Sequence, residues 1–366
     1  MNGRFHPERI VLARTLSGMT QKQTAEESGL SQAKISKLEK SFLPFAENDA
    51  LAIAFATGMP LSFFEHTGSA IPMSELTYRR ASKTPMRELA AVSAECRLLS
   101  ETIDGLAATL GIANPRGKLP YETYYQGVTL PLEEIEAMAD ATRAALGVAP
   151  SGPVRNVTRS IERTGIPVVR LSSMDHSGSG RSEGVCRPGD KEHRWFVGYR
   201  GDVSGDRSRF TKAHELGHLV LHSRRLPGTR AAMEKEAQEF AGAFLFPSLD
   251  AGMLSRSMPL RTYMNLKSGW GISISALIER AWTRKAIDAD RRKSLKIQMS
   301  MRGWSKQEPV AVGPEKPILY RQLLQAAYPD AHGGVDWLKA EDSTGAPVYS
   351  LSIWAGIASA QVAEPA

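Results

Sequence analysis

The run His214-Glu215-Leu216-Gly217-His218 constrains this chain more than any other stretch of its 366 residues. On a helix, residues four apart lie one above the other on one face, so both imidazoles can reach a single Zn²⁺. Glu215 then stands beside the metal, placed to act as general base on a water whose pKa the metal lowers. A catalytic zinc needs a third protein ligand and keeps its fourth position for water. Downstream, residues 232–246 read as a second helix stopped by Pro247, with Met233, Ala237, Phe240, Ala241 and Phe244 in one apolar stripe. Glu234 borders that stripe and points toward the first helix, which makes it the expected third ligand with Glu236 in reserve. Glu236 and Glu239 otherwise read as solvated charges. His222 continues the histidine face, but eight residues of helix rise about 12 Å, too far for it to share a metal with His214. It is expected to pack or hydrogen-bond near the helix end.

His214, Glu215 and His218, followed by His222, the E-x-E-A-x-x-F-A run from Glu234 and a Leu-x-Pro stop at Leu245 to Pro247, resemble the ImmA/IrrE metallopeptidases. That resemblance implies a zincin-like, gluzincin-type α+β domain, Zn²⁺ as cofactor and a repressor-type protein as substrate. The family usually carries Asn or Asp where this chain has Gln238. In related zincins that position orients a metal-binding histidine, so the resemblance gives Gln238 that place.

Composition narrows the setting. The first residues are polar, no apolar run approaches the length of a membrane span, and Cys96 and Cys186 have neither disulfide-framework nor zinc-site spacing. A cytoplasmic protein with reduced thiols and no membrane contact is expected. The formal charge of +7 is unevenly spread: residues 255–306 hold twelve Lys or Arg against three Asp or Glu, a local +9. Such a concentration points to a polyanion, or to a solvated helical face.

Near the start, Thr20 should cap a helix through Ser28, Gly29 supply a tight turn, and Ser31 cap the next helix. Ala25, Leu30, Ile35 and Leu38 would hold the pair together. Over about the first 65 residues the pattern resembles the phage-repressor (XRE) helix-turn-helix family, which implies binding to double-stranded DNA. Gln32, Ala33, Lys34 and Ser36 then sit where side chains reach base edges, and Lys34, Lys37 and Lys40 can meet bases or phosphates. A helical hairpin that binds protein is the alternative.

Between His66 and Glu75 the sequence turns rich in Gly, Ser and Pro and reads as a linker. From Pro85 to Leu110 apolar residues recur at helical spacing, for a helix that either dimerises the protein or covers a core. Residues 165–171 and 193–199 read as strands. A zincin sheet can hold an extended peptide at its edge, so 193–200 is either the substrate edge or an inner strand. Arg207 and Arg209 flank the entry to the zinc helix, where one could stabilise that entry or meet substrate, although a surface role is the expectation, and His176 or His193 are candidates to assist at the developing oxyanion. Residues 259–301 resemble a further helix-turn-helix-like bundle, as in the segment after the metal domain of IrrE-type proteins. Arg284, Lys285, Arg291, Arg292, Lys293 and Lys296 should form its basic surface, against DNA phosphates or an acidic partner.

The expected fold is therefore multidomain: an all-α helix-turn-helix domain at 1–66, a linker and long helix at 67–129, and an α+β zincin-like domain at 130–254. A basic helical helix-turn-helix-like region follows at 255–306, then a C-terminal segment of unassigned role at 307–366. The expected function is a DNA-binding transcriptional regulator with a zinc metalloendopeptidase domain that cleaves a repressor or itself, with a homodimer as the candidate assembly. A transcription factor whose zincin-like domain is a non-proteolytic sensor or scaffold is the alternative.

Overall fold

A computed structural model describes residues 4–67, 77–78 (backbone), 86–112, 119–120, 129–175, 183–188, 194–223 and 228–357. The first unit comprises α1 (Glu8–Leu16), α2 (Gln21–Ser28), α3 (Gln32–Glu39), α4 (Glu47–Thr57) and a 3₁₀ turn at Leu61–Phe64. Thr20 and Gln23 form a reciprocal capping box on α2: Thr20 Oγ1 accepts from Gln23 N at 3.2 Å and Gln23 Oε1 from Thr20 N at 3.0 Å. Gly29 ends α2 at φ +68°, a conformation that favours glycine, and Ser31 caps α3 through the Lys34 amide. Ile10, Ala25, Ile35, Leu38, Ile53 and Phe64 close the interior of this unit.

Next come β1 (Thr77–Tyr78), α5 (Met86–Thr109), α6 (Leu132–Ala145), α7 (Val157–Glu162), β2 (Val168–Arg170), β3 (Gly184–Arg187) and β4 (Phe196–Tyr199). Two long helices follow, α8 (Gly205–His222) and α9 (Arg230–Leu245). The rest is helical: α10 (Leu260–Trp270), α11 (Ile274–Thr283), α12 (Ala289–Met301), α13 (Leu319–Ala327), α14 (Trp337–Thr344) and α15 (Val348–Trp354). The protein is thus mostly helical with one small mixed sheet. Among the described residues no helix is long and apolar enough to cross a membrane.

The sheet runs in the order β1-β3-β4-β2, with β3 antiparallel to both neighbours and β2 parallel to β4. The candidate substrate edge at 193–200 is therefore corrected: β4 is an inner strand, with β3 on one side and β2 on the other. Side chains alternate between faces along a strand, and here both faces are covered. Val168, Cys186 and Val197 join a core built with α6 to α12, whereas Val169, Val185 and Phe196 join a second core with α1 to α5 and α13 to α15.

The stripe of α5 that suited either a dimer contact or a core cover lies inside the second core, with Val92, Cys96, Leu99, Ile103 and Leu106 buried. Residues beyond 307 also take a place there. Trp354 Nε1 donates to Glu95 Oε1 at 3.0 Å and Tyr320 Oη to Thr102 Oγ1 at 3.0 Å, so the C-terminal helices are tied to α5. The other carboxylate bonds of Glu95 cap the 3₁₀ turn at Ser172–Met174, through the amides of Ser172 at 2.9 Å and Ser173 at 2.8 Å. Both cysteines are buried.

Candidate metal centre

The helix α8 is buried on nearly every side. Ala213, Leu216, Leu219 and Val220 enter the first core, and Gly217 lets α9 approach so closely that a Cβ there would lie 2.9 Å from Phe240 Cδ1. This close packing of α8 on α9 brings three donors together. His214 Nε2 and His218 Nε2 are 3.1 Å apart, and Glu234 on α9 places Oε2 3.4 Å from the first and Oε1 3.9 Å from the second. All three ligand atoms fall within 4.8 Å of one another. Tetrahedral Zn–N or Zn–O bonds of roughly 2.0–2.1 Å put neighbouring donors about 3.3 Å apart, so the triangle has the size of a zinc site. A neutral imidazole with its proton on Nδ1 leaves a lone pair on Nε2, and two such lone pairs facing one another are suited to share a cation. Burial, with His214 and His222 next in effect, pushes the His218 imidazole well below its ordinary value and favours the neutral form that ligates metals.

His218 is held from behind. Its Nδ1 lies 2.9 Å from Nδ1 of His222, whose Nε2 lies 2.9 Å from Glu236 Oε2. With His218 Nε2 turned to a metal, one proton arrangement fits: His218 Nδ1–H donates to His222 Nδ1, and His222 Nε2–H donates to Glu236. Glu236 Oε1 in turn accepts the Leu130 amide at 2.8 Å. The expectation of Glu236 as a solvated charge is therefore corrected, because it is only 3% exposed and serves His222. The hydrogen-bonding role expected of His222 is present. Gln238 is exposed and lines the cleft beside His214 and Glu215.

Glu215 is 2% exposed and abuts β3. A Cβ at Gly184 would come within 2.6 Å of Glu215 Oε1 and 2.6 Å of Thr211 Cγ2, so only glycine lets the strand pass there. A cleft of about 900 Å³ opens from His214 and Glu215. Glu183, Gly184 and Phe210 line its near side, and Trp304, Val310 and Val312 line the far side.

That far wall is fixed by two glutamates that sequence reading passed over. Glu308 accepts from the Ile274 and Ser275 amides at 2.7 and 3.0 Å, at the start of α11, and from Lys267 Nζ at 3.0 Å. Glu315 accepts from the Val157 and Thr158 amides at 2.9 and 2.8 Å, at the start of α7. Arg209, expected at the surface, is corrected to a buried residue that pairs with Glu315 and donates to the carbonyls of Val154, Trp270 and Gly271. Arg207 is exposed and pairs with Glu183. The two histidines considered for the oxyanion, His176 and His193, lie outside the described residues.

On α3, Gln32, Ala33, Lys37 and Lys40 are exposed and Ser36 is half-buried, while Lys34 Nζ pairs with Asp49 Oδ1 at 2.5 Å. The basic run at 284–296 is partly neutralised, by Arg284 on Glu136 at 2.6 Å and by Arg292 and Lys296 on Glu279 at 2.8 and 3.0 Å. Lys285 and Lys293 are exposed.

A peptidase-family model, the IrrE N-terminal-like domain, matches residues 161–281. The IrrE N-terminal-like segment starts within α7 and ends within α11, so it contains the whole sheet except β1, both helices of the donor triangle and Glu215. A peptidase-type hydrolase domain is thereby identified in the middle of the chain. Comparison with curated proteins gives no match.

Proposed function

We propose that this chain is a DNA-binding transcriptional regulator carrying a zinc-dependent endopeptidase, which cleaves a repressor-type protein or the chain itself. The observation that carries the peptidase part is the triangle of His214, His218 and Glu234 with Glu215 buried beside it at the head of a cleft. Zn²⁺ held by those three residues would acidify a water and polarise the scissile carbonyl. Glu215 takes the proton of the attacking water and delivers it to the departing amide nitrogen. The His222–Glu236 pair holds the His218 ring and its tautomer. The cleft admits an extended chain between β3 and the wall at Trp304 to Val312.

The regulatory part rests on α3, whose exposed Gln32, Ala33, Lys37 and Lys40 follow a capped turn from α2, the arrangement that enters a major groove. The partner read there is double-stranded DNA.

Elemental analysis of the purified protein, with and without Glu234→Ala, tests the metal, and cleavage with and without Glu215→Gln tests the chemistry. About one zinc per chain, lost in Glu234→Ala, with proteolysis lost in Glu215→Gln while zinc is retained, is the expected result. Zinc without any Glu215-dependent proteolysis of the chain or of a repressor-type substrate would instead make the domain a sensor or scaffold.

A further inference from the structure

The far wall of the cleft is a strap rather than a packed layer. Between α12 and α13, Trp304 still packs on the first core, but from 305 to 316 no residue is buried. Among the described residues, those at 309–314 make no hydrogen bond. Val310, Ala311 and Val312 nevertheless line the cleft that opens from His214 and Glu215. The strap lies against the start of α8, where a Cβ at Gly205 would run into the carbonyl oxygens of Val312 and Gly313. Val310 is held at φ +64°, a left-handed conformation that is an outlier for a β-branched residue. Such strain persists only where the surrounding structure imposes it. Val310 is exposed, so here the constraint comes from the chain on either side.

Each end of the strap is held by a glutamate on the first two amides of a helix: Glu308 on Ile274 and Ser275 of α11, Glu315 on Val157 and Thr158 of α7. The two fastenings differ in what they leave behind. Glu308 shares the Lys267 ammonium, at 3.0 Å, with Asp206 of α8, at 2.7 Å. When Glu308 lets go, Lys267 keeps a carboxylate and no buried charge is stranded. Glu315 pairs with the buried Arg209 and also accepts from Thr158 Oγ1 at 2.8 Å. Its departure would strand a buried guanidinium, which is the costly kind of break. We propose that residues 308–314 are a lid on the cleft, fixed at Glu315 and latched at Glu308, which opens to admit a polypeptide. The proposal rests on the peptidase reading of the same cleft. Opening releases Val310 from its left-handed conformation, so the strain works against the latch, and closure over a bound chain keeps bulk water from the scissile bond.

Amide hydrogen exchange in the full chain tests the latch without any substrate, because local opening exposes only the amides it releases. Corrected for intrinsic rates, the amides of Ile274 and Ser275 should exchange at least tenfold faster than those of Val157 and Thr158. Glu308→Gln keeps an acceptor but loses the charge that faces Lys267, and should widen that gap at least another tenfold. Zinc-loaded Glu308→Gln should also yield its metal to a chromophoric chelator, and degrade labelled casein, at least fivefold faster than wild type. Equal protection at the two helix starts overturns the lid even if wild type degrades casein. So does a folded Glu308→Gln that releases zinc no faster, or that cuts casein no faster where wild type cuts it. Unequal exchange and faster chelation with no casein cleavage by any form keep the lid and remove the peptidase reading. The exchange comparison in wild type decides by itself if Glu308→Gln does not fold or the chain takes up no zinc.

Discussion

The Nδ1 atoms of His218 and His222 lie 2.9 Å apart. That contact, continued to Glu236, makes a buried carboxylate on α9 the support of an imidazole on α8. Residues that orient a ligating histidine typically govern metal affinity by about 10–100-fold. Glu236→Ala should therefore weaken zinc binding by about that factor, measured by competition with a chromophoric chelator, while the fold is kept. An unchanged affinity would leave Glu236 with only its bond to the Leu130 amide.

Arg209 and Glu315 should behave as one structural unit. Breaking a buried ion pair by removing one partner costs about 3–5 kcal/mol, and Arg209 also serves four carbonyls. Arg209→Ala is expected to lower the urea unfolding free energy by that amount. A loss under about 1 kcal/mol, the scale of an exposed pair, would contradict the placement.

On α3 the lysines are not equivalent. Lys37 and Lys40 are exposed, whereas Lys34 is engaged with Asp49. If α3 lies on DNA, Lys37→Ala and Lys40→Ala should each reduce the slope of log affinity against log salt by about 1. Lys34→Ala should reduce it less. Identical salt slopes for all forms would remove α3 from the phosphate contacts.

Lys212, two residues before His214 on α8, is wholly buried, with its Nζ 2.9 Å from Thr158 Oγ1 and 4.0 Å from the centre of the Tyr199 ring. Burial pushes its amine down to about 8 from an ordinary 10.5. Between those two values the unfolded chain still holds the proton that the folded chain has released, so stability rises with pH across this window and falls as pH drops toward 8. The slope is at most about 1.4 kcal/mol per pH unit. Lys212→Met should lack it, so wild type should gain on the variant between pH 8 and 10 in denaturant titrations. Parallel stability profiles would show that the amine titrates at its ordinary value.

Local chemistry made much of this legible from residues alone. The caps at Thr20 and Ser31, the left-handed turn at Gly29 and the two helices that carry the histidines and Glu234 follow from signals a few residues long. The stacking of His214 on His218 follows from the helical period itself. The fate of a charge does not, because it is set by a distant partner: Glu236 looked solvated until His222 and the Leu130 amide faced it, and Arg209 until Glu315 did. Likewise β3 is four residues without alternation, buried on both faces, and its rank within the sheet depends on which strands arrive beside it. The far wall of the cleft escaped notice because Glu308 and Glu315 sit in a proline-broken stretch with no periodicity.

The bond from Trp354 to Glu95 spans 259 residues of sequence, and Tyr320 reaches back 218 to Thr102. Contacts that distant close late in folding. On the ribosome, the N-terminal helices can form early, yet the apolar flank of α5 stays open until the last helices have emerged. During that interval the nascent chain exposes Leu99, Ile103 and their neighbours to solvent and to other chains, so a truncation before Trp354 should be a client of chaperones and proteases rather than a smaller regulator.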